Sequence, residues 1–144
     1  MRSLVRFVLV AIGIAILAGV QPAEAQVTRP VEFTTTFPFT VGNATVPAGS
    51  YRITPDEDNP RYLQLTGQHT AMFFEARDEQ ATRTPDKTEV VFARYGRAYV
   101  LKHVWIEGSE SGAEAVTFEP ERHHAKAGQS TGEERVAAKP RKRV

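Results

Sequence analysis

The sequence predicts an all-β chain, folded as an antiparallel β-sandwich or small β-barrel of about seven short strands with a disordered basic C-terminal tail. Three observations carry that expectation. Short runs rich in Val, Thr, Phe and Tyr alternate between apolar and polar positions, as half-buried strands do. Gly, Pro and Asn fall between those runs, where tight turns need them. Beyond residue 26 no stretch has the apolar periodicity of a helix.

The chain opens MRSLVRFVLVAIGIAILAGVQPAEAQV. Arg2 and Arg6 give a positive end, Phe7 to Val20 is an uncharged apolar run, and Ala23-Glu24-Ala25 places small residues before Gln26. That is the layout of a cleaved signal peptide over residues 1–25. The run of 14 residues spans only about 21 Å as a helix, short of a hydrocarbon core of about 30 Å. The expected product is exported, periplasmic or extracellular, with no membrane span after cleavage. It comprises a β domain over 26–121 and a flexible basic tail over 122–144.

The first strand is expected over VEFTTTFPF, 31–39, with Val31, Phe33, Thr35, Phe37 and Phe39 on one side. Pro38 has no amide proton to give a ladder, which points to an edge strand or a bulge. Gly42-Asn43 between FTV and ATV reads as a two-residue hairpin turn, because both residues tolerate positive φ. Pro47-Ala48-Gly49 then turns the chain into the strand SYRIT. PDEDNP, 55–60, is a loop; RYLQLT and HTAMFFEA follow as a hairpin about Gly67-Gln68. Residues 77–87, charged and without periodicity, read as a solvated loop.

The clearest hairpin is 88–106 with Gly96-Arg97 at its turn. Regular alternation would put Val90, Phe92, Tyr99, Leu101 and Trp105 on one face, together with Arg94 and His103. Val91, Ala93, Val100, Val104 and Ile106 would fill the other, so both faces should be covered. GSESG, 108–112, reads as a turn and EAVTF as a last strand, followed by a short helical stretch after Pro120. Past Gly128 the chain is small, polar and charged, the composition of a disordered tail.

Composition narrows the chemistry. There is no cysteine, so thiol nucleophiles, thiolate metal sites and disulfides are excluded and an ordinary apolar core must hold the fold. Between Gln26 and Glu121 there are 9 basic and 14 acidic residues; from Arg122 onward there are 7 basic and 2 acidic. An acidic body thus carries a basic tail. The terminal KPRKRV would attract an anionic envelope component by charge alone, and export makes nucleic acid an unsuitable partner.

Phe37-Pro38-Phe39, Val41-Gly42, Val46-Pro47-Ala48-Gly49 with Tyr51, Phe92 with Arg94-Tyr95-Gly96, Tyr99 with Leu101, and Trp105 form a pattern. With the export signal, it resembles a group of small exported β-rich bacterial proteins of unknown function. The resemblance covers roughly residues 31–121. It implies export and β architecture, and assigns no catalytic or binding residue.

Four histidines raise metal binding, but His123 and His124 are adjacent and point apart, and His69 with His103 lack a third ligand. The acidic loop Asp56-Glu57-Asp58 lacks the glycine and distal carboxylate of a calcium loop. Neither a metal nor a cofactor is expected. No serine lies in a nucleophile motif, so no enzyme is expected either. Arg94, Tyr99 and His103, sharing a mostly apolar face, are the binding candidates; pairing of Arg94 with Glu75 or Glu89 is the structural alternative. The functional expectation is an exported, non-catalytic binding or envelope-associated structural domain. A small hydrophobic-ligand carrier and a periplasmic hydrolase are the alternatives.

Overall fold

The computed structural model describes residues 27–117 and 130–142. The segment read as a signal peptide, His123, His124 and the helical stretch expected after Pro120 lie outside them. Among the described residues are ten strands: β1 (Val31–Thr35), β2 (Phe39–Val41), β3 (Ala44–Val46), β4 (Gly49–Pro55), β5 (Tyr62–Gly67), β6 (Ala71–Gln80), β7 (Glu89–Tyr95), β8 (Ala98–Trp105), β9 (Ser111–Ala115) and β10 (Gly132–Pro140). Eight close an antiparallel barrel in the order β8-β7-β10-β1-β4-β5-β6-β9, and β9 pairs back onto β8. The remaining hairpin, β2–β3, leans on β8 through the parallel pair Thr40–Val100.

Two strands turn the corners between the barrel's halves. β6 pairs with β5 through Ala71–Glu75 and with β9 through Ala76–Gln80. β10 pairs with β7 through Gly132–Ala137 and with β1 through Ala138–Pro140. Strands that switch sheets in this way let a twisted sandwich close on itself. Closure leaves the eight barrel strands without the exposed edges that would template aggregation, and only the short β3, paired with β2 alone, keeps one among the described strands.

Side chains fill the interior. Alternate residues of each strand point inward: Val31 and Phe33, Tyr51 and Ile53, Leu63 and Leu65, Phe74 and Ala76, Val90 and Phe92 are all buried. Phe92 centres an aromatic cluster, with ring centroids 5.0 Å from Phe39, 5.2 Å from Phe37 and 6.1 Å from Phe33. An eight-stranded barrel is just wide enough to be packed in this manner.

The stretch FPFTVGNATVPAGSY resolves as folding punctuation. The expected long strand breaks at Thr36–Pro38 into β1 and β2, because Pro38 cannot donate to a ladder. β1 itself is no edge: it lies between β10 and β4. Gly42, at φ 57°, makes the expected tight turn, with Phe39 opposite Val46 and Val41 opposite Ala44. After Pro47-Ala48-Gly49 the Tyr51 hydroxyl donates back to the Pro47 carbonyl and clamps the corner. Burial pushes the Tyr51 phenol up from its ordinary value, against a smaller opposing bond to Thr70.

Three boundaries differ from the sequence reading. β6 continues through Arg77–Gln80, read above as loop, because its backbone pairs with β9 while Arg77 and Asp78 face water. β9 occupies Ser111–Ala115, earlier than EAVTF. The largest correction is β10. Gly132–Pro140 had the composition of a disordered tail, yet it is a barrel strand. Only Val136 and Ala138 pack against the core, both partly buried, so the strand carries almost no apolar signature. Backbone pairing on both sides orders it, helped by ion pairs of Arg135 with Glu89 and Arg141 with Glu32.

Candidate functional site

A single extra residue decides where the candidate side chains go. From the Gly96 turn, the predicted register holds for Tyr95–Ala98, Arg94–Tyr99 and Phe92–Leu101. Beyond Leu101 a β-bulge intervenes: Val91 faces His103 and Val90 faces Val104, leaving Lys102 as the inserted residue. Val104 thereby turns into the core, while His103 and Trp105 turn to the outer surface. The grouping of Arg94, Tyr99 and His103 on one face is therefore corrected. Arg94 is exposed and donates from Nε to the Gly96 carbonyl of its own turn, at 3.1 Å. Tyr99 stacks on Phe37 at 4.0 Å. These two share a face; His103 occupies the opposite one.

His103 instead joins a cluster on the outer surface of the β6-β9-β8-β7-β10 sheet. Its ring stacks beside Trp105 at 5.5 Å, and its Nδ1 lies 2.6 Å from Glu79 Oε2. The two atoms are in ion-pair contact when the imidazole is protonated, but are not aligned as a hydrogen bond. Trp105 lies across β9 directly over Gly112, where an added Cβ would collide with Cε3 and stand 2.7 Å from the Val104 carbonyl oxygen. Glycine is needed there for close approach. Replacing Gly112 by Ala is expected to cost about 1–3 kcal/mol by overpacking and to change the emission of Trp105, the chain's only tryptophan. Urea unfolding and the native emission spectrum together check both effects.

Opposite Trp105, across the β7–β8 ladder, stands Glu89. It is only 5% exposed. Oε1 accepts a bond from Arg135 Nη1 on β10, while Oε2 is buried without a hydrogen-bond partner and has Lys87 Nζ 3.7 Å away. Arg135 also bonds Glu133, and the bond to Glu89 is the first cause holding its guanidinium above its ordinary, already fully charged value. A groove of about 490 Å³ lies over these residues, bounded by 81–86, Glu89, Trp105 and Arg135.

The loop above the groove is tied down at Ala81, at Pro85 and, just beyond it, at Thr88. Ala81 N–H donates to the Glu110 carbonyl, and Gly108 N–H to the Pro85 carbonyl. Thr88 accepts at its hydroxyl from Glu107 N–H and at its carbonyl from Ala138 N–H. The groove is thus pre-formed, with both walls fixed to the barrel.

A larger groove of about 630 Å³ crosses β1, β4 and β10. Its carboxylate is saturated by arginines: Glu32 Oε1 accepts from Arg52 Nε and Nη2 at 2.9 and 2.7 Å and from Arg141 Nη1 at 2.7 Å. Arg52, then Arg141, hold the Glu32 carboxyl below its ordinary value. This network stitches three strands and leaves little polar demand for a ligand. The acidic loop likewise closes on itself, Asp56 Oδ1 accepting from Asp58 N–H and Asn59 Oδ1 from Arg61 N–H.

Sequence reasoning missed Trp105, Glu89, Arg135 and Gly112 as a unit. A charge leading an apolar strand, in TEVVF, was the one available signal for Glu89. Arg135 sat in residues read as tail, and the bulge that turns Trp105 outward has no marker in the sequence. No protein-family model matches this chain, and neither the curated proteins nor the solved structures yield a match. The functional reading rests on the chain's own residues.

Proposed function

We propose that this is an exported, non-catalytic binding domain that takes a small polar ligand on its outer surface, in the groove between the 81–86 loop and Trp105. The observation that carries the reading is Glu89, a buried carboxylate that lines the groove and whose Oε2 has no hydrogen-bond partner, only the Lys87 ammonium 3.7 Å away. A buried acceptor answered only by the ion pair with an exposed lysine is incompletely satisfied, and a hydrogen-bond donor brought by a ligand would complete it. The packed interior supports surface binding over carriage of an apolar ligand inside the barrel. Export is proposed from the signal-like residues 1–25 alone.

Native mass spectrometry of the protein purified from its own envelope fraction tests this reading. A non-covalent adduct is expected on the wild-type chain and is expected to be depleted in Glu89→Gln. An adduct retained at full occupancy by a folded Glu89→Gln protein would place binding elsewhere. No adduct on wild-type protein, with no small molecule from the envelope extract restoring one, would count against ligand binding altogether.

A further inference from the structure

We infer that the ligand of this groove is a neutral saccharide, one ring of which lies against Trp105 while adjacent hydroxyls bond the Glu89–Arg135 pair; the inference rests on the binding reading above.

The charges of the groove come first. Arg83, Arg135, Asp86 and Glu89 all line the groove, with Arg135 paired to Glu89, and Lys87 reaches toward Glu89 from outside it. An anionic ligand would meet two carboxylates and an ammonium ligand two guanidinium groups. Neither sign is favoured, so the groove suits a neutral molecule that both donates and accepts hydrogen bonds. Hydroxyl groups do both.

Their placement comes next. Glu89 Oε2 needs a donor, whereas Arg135 and Arg83 have only N–H groups to offer. A hydroxyl displacing the exposed Lys87 side chain can donate to Oε2. A neighbouring hydroxyl can then accept from a guanidinium. Two hydroxyls on adjacent carbons match this demand; Thr82 and Thr84 add further hydroxyls along the rim.

The apolar wall supplies the third condition. Trp105, packed on Gly112 and stacked beside His103, still borders the groove, so the C–H surface of a ligand can lie against the part of the indole that lines it. A sugar ring combines an apolar C–H face with a rim of hydroxyls. The groove, at about 490 Å³, lies within the range of small-molecule sites, and its open shape leaves room for a chain to continue out of it.

The test is a calorimetric titration of the full chain, freed of residues 1–25 by export, with neutral oligosaccharides built from glucose, xylose, mannose, galactose and N-acetylglucosamine. Matched titrations use small carboxylates and small amines. At least one neutral oligosaccharide is expected to bind, with affinity at least tenfold weaker in Glu89→Gln and in Arg83→Ala. Arg83 lies on the loop, so its variant leaves the barrel intact should Glu89→Gln destabilise it. Quenching or a wavelength shift of Trp105 emission on binding is the second readout. Binding of a carboxylate or amine, weakened by the same variants while no saccharide binds, would overturn the saccharide assignment and leave the groove reading in place. Saccharide binding unchanged in both variants would overturn the assignment by putting the sugar outside this groove. Binding of neither saccharides nor charged molecules would overturn it as well.

Discussion

A chain ending at Gln129 is expected to lose cooperative folding, although the residues removed look like a dispensable tail. β10 forms six residue pairs with β7 and three with β1. Without it Val31, Phe33, Val90 and Phe92 lie beside an open slot, and two strands gain unpaired edges. The missing ladder, the wetted core and the lost Glu89–Arg135 and Glu32–Arg141 pairs together should exceed the total stability of about 5–15 kcal/mol available to a domain of this size. The expected far-UV spectrum is that of a largely unfolded chain, and a urea titration should show no sigmoidal transition. A cooperative transition at the wild-type midpoint would mean that β10 is not part of the stable barrel. The groove should be lost with it, because Arg135 is one of its walls.

Replacing Phe92 by Ala is expected to give the largest loss of any single core truncation. The ring is fully buried and touches three other aromatic rings, edge-on to Phe37 at 88° and tilted to Phe39 at 64°. Its removal leaves a cavity bordered by β1, β2 and β8, whose backbones are held by ladders and cannot collapse inward. Transfer and cavity terms together predict about 3–5 kcal/mol. Urea unfolding should show a lowered midpoint with little change of slope, and Phe92→Leu should lose less because it refills part of the volume. A midpoint unchanged in Phe92→Ala would show that the aromatic cluster is not the barrel's centre of packing.

These two expectations separate what was legible from what was not. Phe92 could be read as core from the sequence, because it alternates with Val90 in a strand bounded by a Gly turn. Inward positions at Val31, Phe33, Tyr51 and Ile53 were equally legible, as were the turns at Gly42 and Gly96. Each depends on neighbours within a few residues. β10 depends on none of its neighbours. Its two core-facing residues are too few to set a period, and its order comes from β1, whose paired residues lie 105–109 positions away in sequence, and from β7, whose paired residues lie 38–48 positions away.

The candidate site divides in the same manner. A hairpin centred on Gly96-Arg97 and a tryptophan near its end were both visible. The face that Trp105 and His103 occupy was not, because one residue inserted at Lys102 reverses every side chain beyond it. By itself the sequence determined an all-β, disulfide-free body, its principal turns and most of its core, since these follow from local φ preferences and from period-two burial. Only the tertiary structure decided that the barrel closes through its C-terminal strand, that the hairpin carries a bulge, and that Glu89, Trp105 and Arg135 meet. Backbone pairing between distant segments is almost indifferent to side-chain identity, so it leaves little trace in the residues that make it.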